Sequence, residues 1–314
     1  MRRIIKITQP ETAPMFLTWV INNICTNACS YCPSILHDGK NHHYDWDRAR
    51  EFFKILFQRY PNIHCAVSGG EPSVSPFLPE IAKIFHEAGH SIGLTSNAAK
   101  PAAYWKDISQ YLNYICFSYH PEFPDKNFIE KVSTAGDHTF VTARVMMYPS
   151  MWDHCVDVYN QLAELPHVFV EPVRILDWGG KDTNADQYTQ EQLDFFTSNT
   201  RIHKSLIHLK AKSTPNLCSS FYINDGTVDT NPNTIDYINA GMTNFSSYVC
   251  EIGLKSLFIS FDGEVFLANC LINGSIGNIN DPENIRWPDS PVICNKTLCH
   301  CASDVNIGKW MQAQ

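Results

Sequence analysis

Phe16-Leu17-Thr18-Trp19-Val20-Ile21 is an apolar, β-prone run that leads, through Asn22-Asn23-Ile24, into Cys25-Thr26-Asn27-Ala28-Cys29-Ser30-Tyr31-Cys32-Pro33. The run reads as a strand and the cysteines as the loop at its end. The same alternation continues down the chain. Tyr44 to Tyr60 reads as an amphipathic helix with Phe52, Phe53, Leu56 and Phe57 on one face. Strand Cys65 to Ser68 then precedes helix Pro76 to Ala88, strand Ser91 to Thr95 precedes helix Ala102 to Leu112, and strand Tyr114 to Ser118 precedes helix Lys126 to Thr134. Strand Phe140 to Met147 with helix Trp152 to Leu165, and strand Val168 to Ile175 with a helix from about Thr189 into the 200s, complete the series. Six such units in about 190 residues predict parallel strands joined by right-handed crossovers. The fold class is therefore α/β, a partial (β/α)6 TIM-like barrel, short of the closed barrel of eight units.

Past about residue 212 the texture changes to short strands with turn signals. Asp225-Gly226, between Phe221-Tyr222-Ile223 and Thr227-Val228, and Asp262-Gly263, between Leu257 to Phe261 and Glu264 to Phe266, each carry a hairpin signature. Residues 1–212 are expected to form the barrel and 213–314 a smaller, hairpin-containing domain, with a lead of about 15 residues before the first strand that is too short for a domain of its own. Lys plus Arg is 24 and Asp plus Glu is 32, a formal charge of -8 that disfavours polymeric nucleic acid and anionic membrane as partners. There is no apolar run long enough to span a bilayer, and Met1-Arg2-Arg3 leads into a mixed stretch rather than an apolar signal core. A cytoplasmic location is the expectation. Twelve cysteines in such a chain point to metal ligation or redox chemistry rather than structural disulfides.

Cys25, Cys29 and Cys32 are spaced so that one short loop wraps one metal centre, at the C-terminal mouth of a parallel sheet where active sites sit. Three thiolates on a 4Fe-4S cube leave one iron open to an outside ligand, whereas a structural zinc site is closed by four protein ligands. Zinc with His37, His42 or His43 as the fourth ligand is the competing reading. The pattern Cys25-x3-Cys29-x2-Cys32, with Tyr31 before the last cysteine, resembles the signature of the radical S-adenosylmethionine (radical SAM) superfamily. The resemblance implies a cube held by these three cysteines, S-adenosylmethionine chelating its fourth iron, and reductive cleavage to a 5′-deoxyadenosyl radical that removes a hydrogen atom from a substrate. It assigns cofactor contacts to Tyr31, to Gly69, Gly70, Glu71 and Pro72 at the end of the second strand, to Thr95, Ser96 and Asn97 at the end of the third, and to Ser118. Arg144 is an isolated charge in an apolar strand, so it pairs with either the S-adenosylmethionine carboxylate or a protein carboxylate.

Five cysteines fall near the C-terminus: Cys250, Cys270, Cys294, Cys299 and Cys301. Their placement about the Asp262-Gly263 hairpin resembles the auxiliary-cluster domains called SPASM and twitch, and too few are present for two such clusters. One auxiliary 4Fe-4S cluster is implied, with Cys294 as the one left over or, alternatively, Cys301; four-thiolate zinc is the competing reading. Cys65, Cys116 and Cys155 lie in apolar patterns and read as small buried hydrophobes, and Cys218 as a bystander. Tyr119, His120, Glu171 and Arg174, at or beyond strand ends, are candidates for substrate binding or proton transfer, while Trp152, Phe195 and Phe196 read as core. The resulting expectation is a radical SAM enzyme that oxidatively modifies a peptide or small molecule and draws electrons from a donor such as a flavodoxin or ferredoxin. Nucleotide or nucleoside modification, and a non-enzymatic zinc or iron-sulfur binding protein, are the competing readings.

Overall fold

In the computed structural model of the chain, which describes residues 2–39, 45–175, 187–199 and 219–311, the run around Trp19 is strand β2 (Met15–Val20). Met15, Leu17 and Trp19 are buried, the period of two of a strand with one face covered. Helix α1 (Trp46–Arg59) starts at Asp45, whose side chain accepts from the backbone N–H groups of Asp47 and Arg48. Its buried face includes Phe52, Phe53 and Leu56, with the Trp19 ring 5.0 Å from that of Phe53. Then come β3 (Ile63–Ser68), α2 (Leu78–Glu87), β4 (Ser91–Ser96), α3 (Ala102–Ser109), β5 (Tyr114–Tyr119), α4 (Phe128–Gly136), β6 (Phe140–Met146), α5 (Trp152–Ala163), β7 (Val168–Val173) and α6 (Gln190–Ser198). The order of strands and helices is the expected one, with ends displaced by a few residues. Any continuation of α6 past residue 199 lies outside the described residues, as do His42, His43, Asp177-Trp178-Gly179-Gly180 and Cys218.

Contacts divide the chain into two units, one of Met1–Val20, His43–Cys65 and Pro215–Gln314, the other of Ile21–His42 and Ala66–Thr214. This grouping does not follow the change of texture near residue 212, and the reason lies in strand pairing. The short N-terminal lead contains a strand of its own, β1 (Ile4–Thr8), which pairs antiparallel with β15 (Lys309–Met311) and with β8 (Ser220–Ile223). The six-stranded sheet has the order β14-β10-β15-β1-β8-β9, where β9 is Val228–Asp229, β10 Tyr248–Cys250 and β14 Val292–Ile293. The C-terminal hairpin β11 (Ser256–Ile259) and β12 (Glu264–Phe266), followed by β13 (Ser275–Asn278), also belongs to this unit, and β11 lies parallel to β2. Both Asp-Gly pairs do sit at hairpin turns, between β8 and β9 and between β11 and β12.

In the second unit β4, β5, β6 and β7 are parallel neighbours in that order. Phe117 and Tyr119 of β5 turn toward the helices, Phe117 against Trp105 of α3 at 4.8 Å and Tyr119 against Phe128 of α4 at 5.1 Å. Ser118 therefore points to the opposite face, and the register aligns it with Arg144 and then Glu171 across β6 and β7. Trp152 of α5 packs on Phe195 and Phe196 of α6 at 5.4 and 5.8 Å. Among the described residues β7 has only β6 beside it, so the sheet stays open and the architecture is an α/β partial barrel. No helix of the described residues is long and apolar enough to cross a membrane.

Ile7 is 1% exposed at the centre of the six-stranded sheet. Ile7→Ala should cost about 2–5 kcal/mol of stability through lost burial and the cavity left behind. Urea unfolding measures this, and a change under about 0.5 kcal/mol would show that β1 is dispensable.

Candidate functional site

Where β3 ends, Gly69 adopts φ 149° and Gly70 donates its N–H to the Asn22 carbonyl at 2.9 Å. A Cβ on Gly70 would lie 2.3 Å from the Ile24 carbonyl oxygen and 2.4 Å from that of Leu36. Glycine is thus required for the chain's own backbone to close on the segment that leads into the cysteines. Glu71 follows and is fully buried. Its backbone N–H donates to Ile24 at 2.7 Å, and its carbonyl accepts from the Asn22 side chain at 3.1 Å. Its carboxylate accepts from the Ser73 N–H at 2.8 Å, the Ser96 hydroxyl at 2.7 Å and the Asn97 N–H at 2.7 Å. Burial pushes this carboxyl up, against the pull of those donors.

These bonds assemble one pocket in the second unit, lined by Cys25, Cys29 and Cys32 with Asn27, Ser68, Gly69, Gly70, Thr95, Ser96, Asn97, Ser118 and His120. Asn27 N–H and the Asn97 amide nitrogen both donate to Cys25 Sγ, at 3.4 and 3.6 Å, and Asn97 also donates to Thr26 at 3.1 Å. Asn97 Oδ1 is buried and has no partner among the described residues. Ala98, next in the chain, has φ 61°, in the left-handed region that alanine rarely enters. Its N–H donates to Ser96 Oγ at 3.0 Å and its carbonyl accepts from the buried Lys131 ammonium at 2.8 Å, so the turn that presents Asn97 is held from both sides. Burial pushes all three thiols up, Cys29 to about 12, while the donors on Cys25 oppose the rise there.

His120 Nδ1 lies 2.9 Å from the Tyr31 hydroxyl, and the two rings stack. Burial pushes this imidazole down to about 4, so it is neutral at pH 7. Glu122 accepts from Ser30 N–H at 2.8 Å, which ties the cysteine loop to the end of β5. His37 Nε2 lies 3.2 Å from the Cys32 carbonyl oxygen rather than its thiol.

Several candidates sit elsewhere. Tyr119 is on the helix side of β5, its hydroxyl 2.7 Å from His154 Nε2, because strand alternation that turns Ser118 inward turns its neighbour outward. Glu71 and Pro72 do not line the pocket; the Glu71 carboxylate is occupied by the donors above. Arg144 pairs with Glu171, Nε to Oε2 at 2.9 Å, so each is the other's partner. The Arg174 guanidinium lies over the Tyr188 and Phe196 rings, 5.7 and 6.0 Å from their centroids.

The first unit gathers the C-terminal cysteines. Cys250 opposes Val292 in the β10–β14 register, and Cys294 N–H donates to the Tyr248 carbonyl at 2.8 Å. Cys250 and Cys294 therefore share one face of the sheet as diagonal neighbours. Cys270 is acted on electrostatically by Cys250 and Cys294, and Cys299 by Cys270 and Cys250. The Cys301 thiol lies 3.0 Å from the Ser303 hydroxyl and feels Asp304. Strand pairing thus brings Cys294, expected as the odd cysteine, beside Cys250. Thr243, whose carbonyl accepts from Cys299 N–H, is fully buried with a hydroxyl that has no partner among the described residues. Cys65, Cys116 and Cys155 are buried. Among the described residues no three His, Cys, Asp or Glu groups are arranged to hold one metal ion.

Residues 19–140 match the family model described as the Radical SAM superfamily. No curated protein matches the chain. Among solved structures, Streptococcus suis SuiB bound to its precursor peptide SuiA is similar, with 11% identity, a TM-score of 0.53, and coverage of 88% of this chain and 65% of SuiB. SuiB bound to S-adenosylmethionine aligns at 13% identity and TM-score 0.52, over 88% of this chain and 64% of its own. The protein anSMEcpe with bound AdoMet and Cp18Cys peptide aligns at 14% identity and TM-score 0.50, over 87% of this chain and 80% of its own. At these identities the likeness is one of fold, and this chain spans a little under two thirds of SuiB.

Glu71→Gln keeps the shape but turns an amide N–H toward a backbone N–H. It should destabilise the protein by about 1–3 kcal/mol in urea unfolding. An unmoved midpoint would mean that this carboxylate does not join the strand ends.

Proposed function

We propose that the chain binds a 4Fe-4S cluster through Cys25, Cys29 and Cys32 together with S-adenosylmethionine, and that it oxidatively modifies a peptide or small-molecule substrate by hydrogen abstraction. When bound, this pair of cofactors supplies an electron to the sulfonium and so a 5′-deoxyadenosyl radical. The observation that carries the reading is the single pocket that holds all three thiols beside an acceptor, Asn97 Oδ1, with no partner of its own among the described residues. An acceptor buried without a donor is unfavourable, and an ammonium or ribose hydroxyl would satisfy it. Ser118 and Thr95 add hydroxyls to the same wall. The neutral imidazole of His120 fixes Tyr31 between two of the thiols in sequence, and Glu122 holds the loop backbone. Raised thiol pKa values mean that iron must displace protons on binding, so loading should be slower at low pH.

For the second set we propose an auxiliary 4Fe-4S cluster on Cys250, Cys270, Cys294 and Cys299, with Cys301 as the cysteine left over. The shared sheet face of Cys250 and Cys294 and the electrostatic coupling of Cys270 and Cys299 to this pair support such a group, and the Thr243 hydroxyl beside Cys299, without a partner among the described residues, can donate to it. The peptides bound by SuiB and anSMEcpe support a peptide as substrate, and a small flavodoxin- or ferredoxin-like protein would serve as electron donor.

Anaerobic reconstitution followed by assay of iron, sulfide and 5′-deoxyadenosine tests the reading. About eight irons per chain with S-adenosylmethionine cleavage is the expected result; no iron and no cleavage would return the chain to a non-enzymatic metal-binding role. Cys29→Ala should abolish 5′-deoxyadenosine formation. Cys270→Ala should keep uncoupled cleavage while losing modified product, and retained product would take the second cluster off the reaction path.

A further inference from the structure

Lys309 is 2% exposed, and its Cα stands opposite that of Cys250 in the β10–β15 register, so both side chains leave the same face of the sheet. A buried ammonium is costly unless its three donors are met. Here they are met by backbone alone: the carbonyls of Asp304, Val305 at 3.3 Å and Ile307 at 2.9 Å, with the Phe245 ring 5.2 Å away. These partners are neutral, so the positive charge is fixed in place and not cancelled by a direct carboxylate contact. A carboxyl, Asp304, sits in the same buried region, where burial pushes it up against the pull of its hydrogen-bond donors and of Lys309. It is 2% exposed, and its carboxylate accepts from the Cys270 N–H at 3.2 Å and the Asn269 amide at 3.1 Å.

We propose that Lys309 is the built-in countercharge of the second cysteine set, placed to favour the negative charge that a thiolate-held iron-sulfur cluster brings to Cys250, Cys270, Cys294 and Cys299, and that Asp304 sets the opposing limit. The inference rests on the auxiliary-cluster reading above. It explains why a lysine occupies a position that an aliphatic residue could fill, since a buried cation is retained where it faces buried negative charge. Net charge about an iron-sulfur cluster is one of the settings of its reduction potential. Removing the lysine charge should make reduction harder, and removing the aspartate charge should make it easier.

The test uses the full chain carrying Cys25→Ala, Cys29→Ala and Cys32→Ala, so that any remaining cluster is the second one. Iron and sulfide are measured first, and their absence from this parent overturns the auxiliary-cluster reading itself. With the cluster present, dithionite titration monitored by electron paramagnetic resonance compares the parent with Lys309→Met, Lys309→Arg and Asp304→Asn. The expected outcome is a midpoint that moves negative in Lys309→Met, moves positive in Asp304→Asn and stays near the parent in Lys309→Arg. Midpoints that do not move, or that move in one direction for both charge removals, overturn the proposal while leaving the cluster reading intact. Should Lys309→Met fail to fold, as judged by circular dichroism, Asp304→Asn decides alone: a positive shift supports the proposal and an unchanged midpoint overturns it.

Discussion

The buried carboxylate of Glu71 is the joint on which the first site depends. Three donors from two different segments, Ser73 on one side and Ser96 with Asn97 on the other, converge on its two oxygens. Its own backbone meanwhile closes on Asn22 and Ile24, the residues that lead into Cys25. Away from water, donors and acceptor each lose more by staying unpaired than the pair gains net, so the arrangement holds as a set. The glycines before it serve the same closure, for at Gly70 even a methyl group would meet two backbone carbonyls. Asn97 is the outcome at the pocket wall: its backbone is spent on Glu71, its amide nitrogen reaches Cys25, and its oxygen has no partner among the described residues.

The second site is organised by charge. Cys250 and Cys294 with a buried ammonium are brought to one sheet face by register, and Cys270 meets a buried carboxyl within the same unit. Such a set is unfavourable in an apolar core unless something draws its charges together. On the reading proposed above, a thiolate-bound group with net negative charge does so, with Lys309 as its complement. The two sites thus use opposite devices. One presents an unsatisfied acceptor beside neutral thiols, and the other surrounds thiols with fixed charges.

Local pattern carried much of this protein. The spacing of apolar residues predicts every strand and helix of the barrel series in order, because each element's periodicity is a property of its own residues. The Asp-Gly pairs mark both hairpins for the same reason, as does the cysteine spacing of the loop after β2. Legibility fails where partners are distant in sequence. Ile4 to Thr8 has the look of a lead, and its standing as a central strand depends on residues more than two hundred positions away. A place at a strand end suggests that Tyr119 lines the pocket, and alternation gives that direction to Ser118 instead. The motif around Glu71 suggests a ligand contact, and its carboxylate is taken up by the protein's own donors.

The placement of Cys294 shows the division most plainly. Both belong to one compact C-terminal group in sequence, and only the pairing of β10 with β14 puts Cys294 on the face of Cys250. Lys309 likewise is one lysine in a short apolar stretch until β15 is laid against β10. The sequence alone determined the element order, the turns and the two sets of cysteines, since these depend on contacts and spacings within a few residues. Tertiary structure decided which side chains face one another, because register between distant strands sets whether a residue looks into a site or away from it.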